Sequence, residues 1–187
     1  MLNYNSSIKE NKNYSDLTIK EIYPVMKLNI RGKKREFFTN VGKTLNMILP
    51  TEANTSAASD KLTSIWLSPD EWMIFSNDII EKDDNNYELE NLLFSNISKN
   101  NFGSICDVTD QYVMINLEGK KLFELLSSGC PFNFNEFKKE KGSSTQTILN
   151  HIDVIIHLND SNNVNLFVRR SFSEHLWSWI NDAASRL

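Results

Sequence analysis

Apolar residues recur along this chain at two spacings, and the switches between them divide it into strands and helices. Over residues 25–31, Met26, Leu28 and Ile30 share one face while Lys27, Asn29 and Arg31 take the other, which predicts a half-buried strand ended by Gly32. Phe37, Phe38, Val41, Leu45 and Ile48 then fall at helical spacing, and Pro50 stops the run. Residues 51–60 are Thr, Ser, Asn and Ala-rich and read as a loop. Residues 62–67 and 72–75 are β-branched and aromatic runs on either side of Ser68-Pro69-Asp70. The proline presets φ and the aspartate can bond its own backbone, so a β-hairpin with a tryptophan on each arm is predicted. A polar loop over 77–86 follows, and then Leu89, Leu92, Leu93 and Ile97 predict a second helix.

The remainder runs through the same order again. Residues 103–109 and 111–117 read as adjacent strands, and Leu122, Leu125 and Leu126 form the stripe of a helix. Gly129 is placed to end that helix in the left-handed region, with Pro131 just beyond. Three apolar runs around 147–149, 154–158 and 164–168 follow, the last two joined by a turn at Asp160-Ser161-Asn162-Asn163. A final helix opens at Ser171, with Glu174 three residues on as a capping-box partner, and buries Phe172, Leu176, Trp179, Ile180 and Ala183. A strand, a Gly turn, an amphipathic helix, a hairpin and another helix thus occur twice. The fold class this predicts is α+β, with two ferredoxin-like βαββα-type halves packed as one domain over residues 19–187. The halves divide at about 19–102 and 103–187, and residues 1–18 are expected to form a mobile leader.

Composition narrows the function classes. With 40% hydrophobic and 11% aromatic residues, the chain of 187 residues has the means to bury a core. A net charge of −4, with Lys and Arg scattered along the chain, gives no basic field for nucleic acid. No stretch approaches the roughly 18 continuous apolar residues of a membrane span. Residues 1–16 also lack the apolar run of a secretion signal, so a soluble, cytoplasmic protein is expected. The two cysteines, Cys106 and Cys130, sit in no CxxC pair and beside no histidine. They read as small buried hydrophobes in a reducing compartment.

Candidate chemistry is sparse. The three histidines, His151, His157 and His175, have no metal-binding spacing. No Gly-rich phosphate motif occurs, and Gly142-Ser143-Ser144-Thr145 leads into a strand start, where an anion site would need a helix. Asp107 and Asp110 flank Thr109 between two strand-like runs, so they either cap local backbone or meet an amine or a partner's arginine. Arg169 and Arg170, before the last helix, could fork onto a partner's carboxylate or pair within the domain. Trp177 and Trp179 point about 160° apart on a helix, so one fills the core while the other meets a partner. Trp177, Arg169, Arg170, Asp107 and Asp110 are the candidate interface residues, and catalytic, cofactor-binding and metal residues are expected to be none.

Five passages in register add a family resemblance: Lys27-Leu28-Asn29-Ile30-Arg31-Gly32, Leu49-Pro50-Thr51-Glu52-Ala53-Asn54-Thr55, Ile65-Trp66-Leu67-Ser68-Pro69-Asp70-Glu71-Trp72, Ser128-Gly129-Cys130-Pro131 and Val168-Arg169-Arg170-Ser171-Phe172. In these the chain resembles the gamma subunit of heterotetrameric sarcosine oxidase over roughly residues 21–184. Ser144 stands where that family usually carries a cysteine, which weakens any redox role there. The resemblance implies a fold like the folate-binding domain of the glycine-cleavage aminomethyltransferase. It also implies a non-catalytic subunit that packs against alpha, beta and delta chains, with FAD, FMN, NAD, tetrahydrofolate and zinc held by those chains and none by this one. The isolated chain could form a homo-oligomer. A stand-alone folate-binding protein of the aminomethyltransferase type is the alternative, and an unrelated adaptor domain is a third reading.

Overall fold

The computed structural model describes residues 6, 8, 11–22, 24–82, 86–137 and 140–187. In chain order the strands are β1 (Lys12–Tyr14), β2 (Leu17–Ile22), β3 (Lys27–Arg31), β4 (Ser56–Ala58), β5 (Leu62–Ser68), β6 (Glu71–Ser76), β7 (Ser104–Asp107), β8 (Tyr112–Glu118), β9 (Ser144–Leu149), β10 (Ile152–Asp160) and β11 (Asn163–Arg169). The helices are α1 (Arg35–Leu45), α2 (Glu88–Leu93), α3 (Leu122–Ser127), α4 (Phe134–Phe137) and α5 (Arg170–Ala184), and a π-helical turn, Phe94–Ser98, continues α2. The chain divides into two units, Met1–Pro24 with Asp110–Leu187, and Val25–Thr109.

The unit Val25–Thr109 holds a five-stranded sheet in the order β4-β5-β6-β3-β7, every pairing antiparallel. The two-tryptophan hairpin forms as predicted, with Trp66 directly opposite Trp72. One sheet face carries Leu28, Ile30, Trp72 and Ile74, which join Phe37, Val41 and Leu45 of α1 and Leu93 and Ile97 in one apolar cluster. Trp72 is the centre of an aromatic group, 5.8 Å from Phe37 and 5.4 Å edge-on from Phe38, and its indole N–H donates to the Pro50 carbonyl at 2.8 Å. Aromatic pairs of this kind contribute about 0.5–1.5 kcal/mol each beyond their burial. Helix α1 ends earlier than the stripe implied. Asn46 turns left-handed with φ 49° as its cap, so Ile48 is 87% exposed while Met47 and Leu49 are buried. Lys27, expected on a solvent-facing row, is 1% exposed.

The other unit carries a six-stranded antiparallel sheet in the order β1-β2-β8-β11-β10-β9. Val113, Ile115 and Leu117 of β8, Val164, Leu166 and Val168 of β11, and Val154, Ile156 and Leu158 of β10 line one face. Against them pack Leu122, Phe123, Leu125 and Leu126 of α3, Phe134 and Phe137 of α4, and Leu176, Trp177, Ile180 and Ala184 of α5. Of the residues expected to be a leader, Lys12–Tyr14 form β1, and Leu17 and Thr18 begin β2, which pairs with β1 and β8 in this sheet. The expected division at 103 is likewise replaced. β7 pairs with β3 and β8 with β2 and β11, so the two runs read as adjacent strands belong to different sheets. Both sheets nonetheless share one order. Taking β2 as the equivalent of β7, the sequence β9, β10, β11, β8, β2 matches β4, β5, β6, β3, β7. The duplication is therefore real in topology, with one strand of the first unit supplied from the chain's beginning.

Two end signals differ from expectation. Gly129 is not among the residues of positive φ, and α3 is closed instead by Ser128 in the right-handed region. Its lack of a side chain serves packing, because a Cβ there would lie 2.5 Å from the Trp179 ring. Helix α5 begins at Arg170 without a side-chain cap, and Ser173 donates to the Arg170 carbonyl at 2.7 Å. Trp179 is only partly buried and Phe172 is 49% exposed, whereas Trp177 lies in the core.

Behind the apolar face, a polar row crosses the six-stranded sheet: Lys20, Asn116, Asn165, His157 and Ser144 stand opposite one another in successive strands. Asn116 Nδ2 donates to Asn165 Oδ1 at 2.9 Å and to Asn163 Oδ1 at 2.8 Å, and Asn165 Nδ2 donates to Asn159 Oδ1 at 3.0 Å. His157 is 5% exposed. Burial, offset in part by a hydrogen bond with the Asn159 side chain, lowers its pKa to about 4.

An imidazole that titrates near 6.5 unfolded and about 4 folded leaves the unfolded chain holding more protons between those values. Stability therefore falls as pH drops from 6.5 to about 4, by about 3 kcal/mol in all, and is flat in this respect above 6.5. In urea titrations at pH 7, 6, 5 and 4.5, His157→Gln should flatten the slope over that window relative to the native chain; parallel slopes would contradict it. Glycine replacements separate packing from propensity in Val25–Thr109. At Gly103 a Cβ would lie 2.3 Å from the Arg31 carbonyl oxygen, so Gly103→Ala should destabilise by about 1–3 kcal/mol. Gly42 lies inside α1 with its nearest obstacle at 3.6 Å, so Gly42→Ala should stabilise by about 0.5–1 kcal/mol in the same denaturation assay.

Candidate functional site

The sequence pointed to carboxylates and guanidiniums at strand ends. Asp107 closes β7, and its Oδ1 accepts the Thr109 N–H at 2.9 Å, the local bond that turns the chain after the strand. Its Oδ2 accepts from Lys82 Nζ at 2.6 Å, and that ammonium lies 4.9 Å from the centre of the Tyr87 ring. Burial alone would raise the Asp107 pKa, but the hydrogen bonds from Lys82 and Thr109 outweigh it and hold the carboxyl below its ordinary value. Of the two readings left open, local capping describes Asp107. Asp110 is exposed.

Arg169 is exposed at the end of β11, opposite Tyr112, and Arg170 opens α5 with its N–H donating to the Gln111 carbonyl at 2.8 Å. Trp177, expected at a partner surface, is 9% exposed and belongs to the apolar cluster of its unit. The helical angle between Trp177 and Trp179 was right in principle, but the core took Trp177 because Ser173, Leu176, Trp177, Ile180 and Ala184 form the buried stripe.

A charged group that sequence reasoning passed over surrounds the hairpin turn. Asp70 accepts from Ser68 Oγ at 2.9 Å and lies 3.5 Å from the Arg31 guanidinium and 3.6 Å from Lys33 Nζ. The Ser68 hydroxyl chiefly, aided by Lys33 and Arg31, holds the Asp70 carboxyl below its usual range. Arg31 also lies 3.7 Å from Glu71, whose carboxylate accepts from Asn29 Nδ2 at 2.7 Å. The signal was present in the pairing of Arg31 with Glu71 across β3 and β6, which becomes visible only once the register is known.

Nucleophilic and metal chemistry finds little material. Among the described residues no group of three His, Cys, Asp or Glu side chains could hold a metal ion. Cys130 is buried with its sulfur 3.5 Å from Thr147 Oγ1, as a small core residue, but Cys106 is exposed, contrary to its apolar reading, because its side chain lies on an edge strand. His151 and His175 are exposed. Gly142 turns with φ 87° directly into β9, so no helix follows it.

The comparisons with known proteins agree with this architecture. No curated protein matches the chain. Among solved structures, it is similar to a chain of heterotetrameric sarcosine oxidase from Corynebacterium sp. U-96 in complex with pyrrole 2-carboxylate. The match has a TM-score of 0.80 and 21% identity, over 91% of this chain and 84% of that one. It is also similar to glycine cleavage system aminomethyltransferase T from Bartonella henselae, with a TM-score of 0.57 and 11% identity, over 89% of this chain and 45% of that one. At these identities the two matches show a shared fold, which is the folate-binding-like α+β class expected. The model of the sarcosine oxidase, gamma subunit family matches residues 32–186. The chain belongs to the sarcosine oxidase gamma subunit family.

Proposed function

We propose that this chain is the gamma subunit of a heterotetrameric sarcosine oxidase and acts by packing against its larger partners, supplying no catalytic side chain of its own. The family match over residues 32–186 carries this reading. The side chains are consistent with it: among the titratable groups singled out as candidates, Asp107 is engaged locally by Lys82 and Thr109, and Asp110 and Arg169 are exposed. Alpha, beta and delta subunits are the partners in this reading, and they hold FAD, FMN, NAD, tetrahydrofolate and zinc. The assembled enzyme oxidises sarcosine to glycine, reduces oxygen to hydrogen peroxide and passes the methyl carbon to tetrahydrofolate. The cytoplasm is the matching compartment; no helix among the described residues is long and apolar enough to cross a membrane.

Arg169, Arg170, Asp107 and Asp110 remain the proposed contact residues, with Arg169 and Asp110 the exposed members. Co-expression with the oxidase subunits from the same genome, followed by size-exclusion chromatography and a sarcosine-dependent peroxide assay, tests the proposal. Co-elution is expected, with peroxide formation lost or reduced by tenfold or more when this chain is omitted. Separate elution with unchanged activity would overturn it, and heat on titration with tetrahydrofolate would then favour the stand-alone folate-binding alternative.

A further inference from the structure

The unit Val25–Thr109 is an insertion, so its first and last residues must stay side by side for its sheet to close. The β3–β7 ladder that joins its two ends stops at the pair Leu28 and Asp107. Beyond that rung, Lys27 and Thr109 take over. Lys27 N–H donates to Thr109 Oγ1 at 2.9 Å, that hydroxyl donates to the Lys27 carbonyl at 3.4 Å, and the Val108 N–H donates to the same carbonyl at 2.9 Å. Lys27 Nζ then reaches both end residues of the unit at once, donating to the Val25 carbonyl at 3.1 Å and the Thr109 carbonyl at 3.4 Å. Lys27 is 1% exposed and Thr109 5%. Lysine is almost never fully buried without partners, and only a side chain with several N–H donors can bridge two carbonyls in this way.

We propose that Lys27 is the latch of this stem: its side chain holds the entering and leaving segments together, and the stem opens as a single step when that contact breaks. The site is distinct from the exposed groups assigned to partner contact, and it stands whether or not the chain is an oxidase subunit. Opening at a stem is a sub-global event, so it is read by local exchange within a chain that stays folded.

The experiment uses the full chain. Lys27→Met keeps the length of the stem and removes its donors. Amide hydrogen exchange at Val108 and Thr109 should then quicken by roughly tenfold, the effect of losing a buried hydrogen-bond donor, while Ile65 and Met73 in the β5–β6 hairpin keep their rates. Thr109→Val reads the latch without touching the lysine. In it, acetylation of Lys27 by an amine-reactive ester, followed by mass spectrometry, should quicken while that of Lys33, 79% exposed, stays constant. In the native chain Lys27 should be modified far more slowly than Lys33. Three results would overturn the latch: unchanged exchange at Val108 and Thr109 in Lys27→Met, equal acceleration throughout both units, or acetylation of native Lys27 at the Lys33 rate.

Discussion

Strand register is the constraint on which both sheets depend. In β8 and β11, Val113 stands opposite Val168, Ile115 opposite Leu166 and Leu117 opposite Val164, and all six enter the apolar cluster covered by α3, α4 and α5. Their neighbours Asn116 and Asn165 are also paired and face the other way. A slip of one residue would drive the asparagines into the helix-facing core and turn the aliphatic row out. Burial of each large aliphatic side chain is worth roughly 1.5–3 kcal/mol, so a slip that exposed all six would cost an amount comparable with the whole stability of an ordinary domain. The amide bonds among Asn116, Asn159, Asn163 and Asn165 reinforce one register, because each requires its partner on a particular rung.

The same logic explains why this protein's polar residues are so often structural. His157 is kept neutral within the polar row, and Asp107 is kept ionised by Lys82 and Thr109. One shift comes mainly from burial and the other from hydrogen bonds strong enough to outweigh burial. Such perturbed groups often mark catalytic sites, but here burial accounts for His157 and bonds from Lys82 and Thr109 account for Asp107. A fold shared with an aminomethyltransferase thus occurs in a chain of the sarcosine oxidase gamma subunit family.

Much of the architecture was legible along the chain. The two-tryptophan hairpin, the three runs that became β9, β10 and β11, the main course of α1 and α5, and the twofold α+β pattern all follow from spacing and turn residues. Helix ends were less legible. Asn46 stopped α1 before Ile48, and within α2 Leu92 is 48% exposed while Leu93, and Ile97 in the π-helical turn, are buried. The candidate site was read least well. Trp177 was expected outside and lies inside, whereas Phe172 was expected inside and is 49% exposed, since a stripe of apolar residues on a helix leaves its angular position open by about one residue.

Local spacing by itself determined most of the strands and helices and that the set occurs twice, because side-chain periodicity is a property of each segment alone, but it missed the strands β1, β2 and β4, the last of which lies at Ser56–Ala58 in the stretch read as a loop. Only the tertiary structure decided which strand joins which sheet. β7 and β8 are separated by only the four residues 108–111, yet one pairs with β3 and the other with β2 and β11. Hydrogen-bond ladders are contacts between distant segments, and nothing in the residues of β2 announces that they complete a sheet begun a hundred positions later. The same holds for Lys27. Its place in an alternating strand predicts solvent, and its burial beside Thr109 follows from where the chain enters and leaves Val25–Thr109.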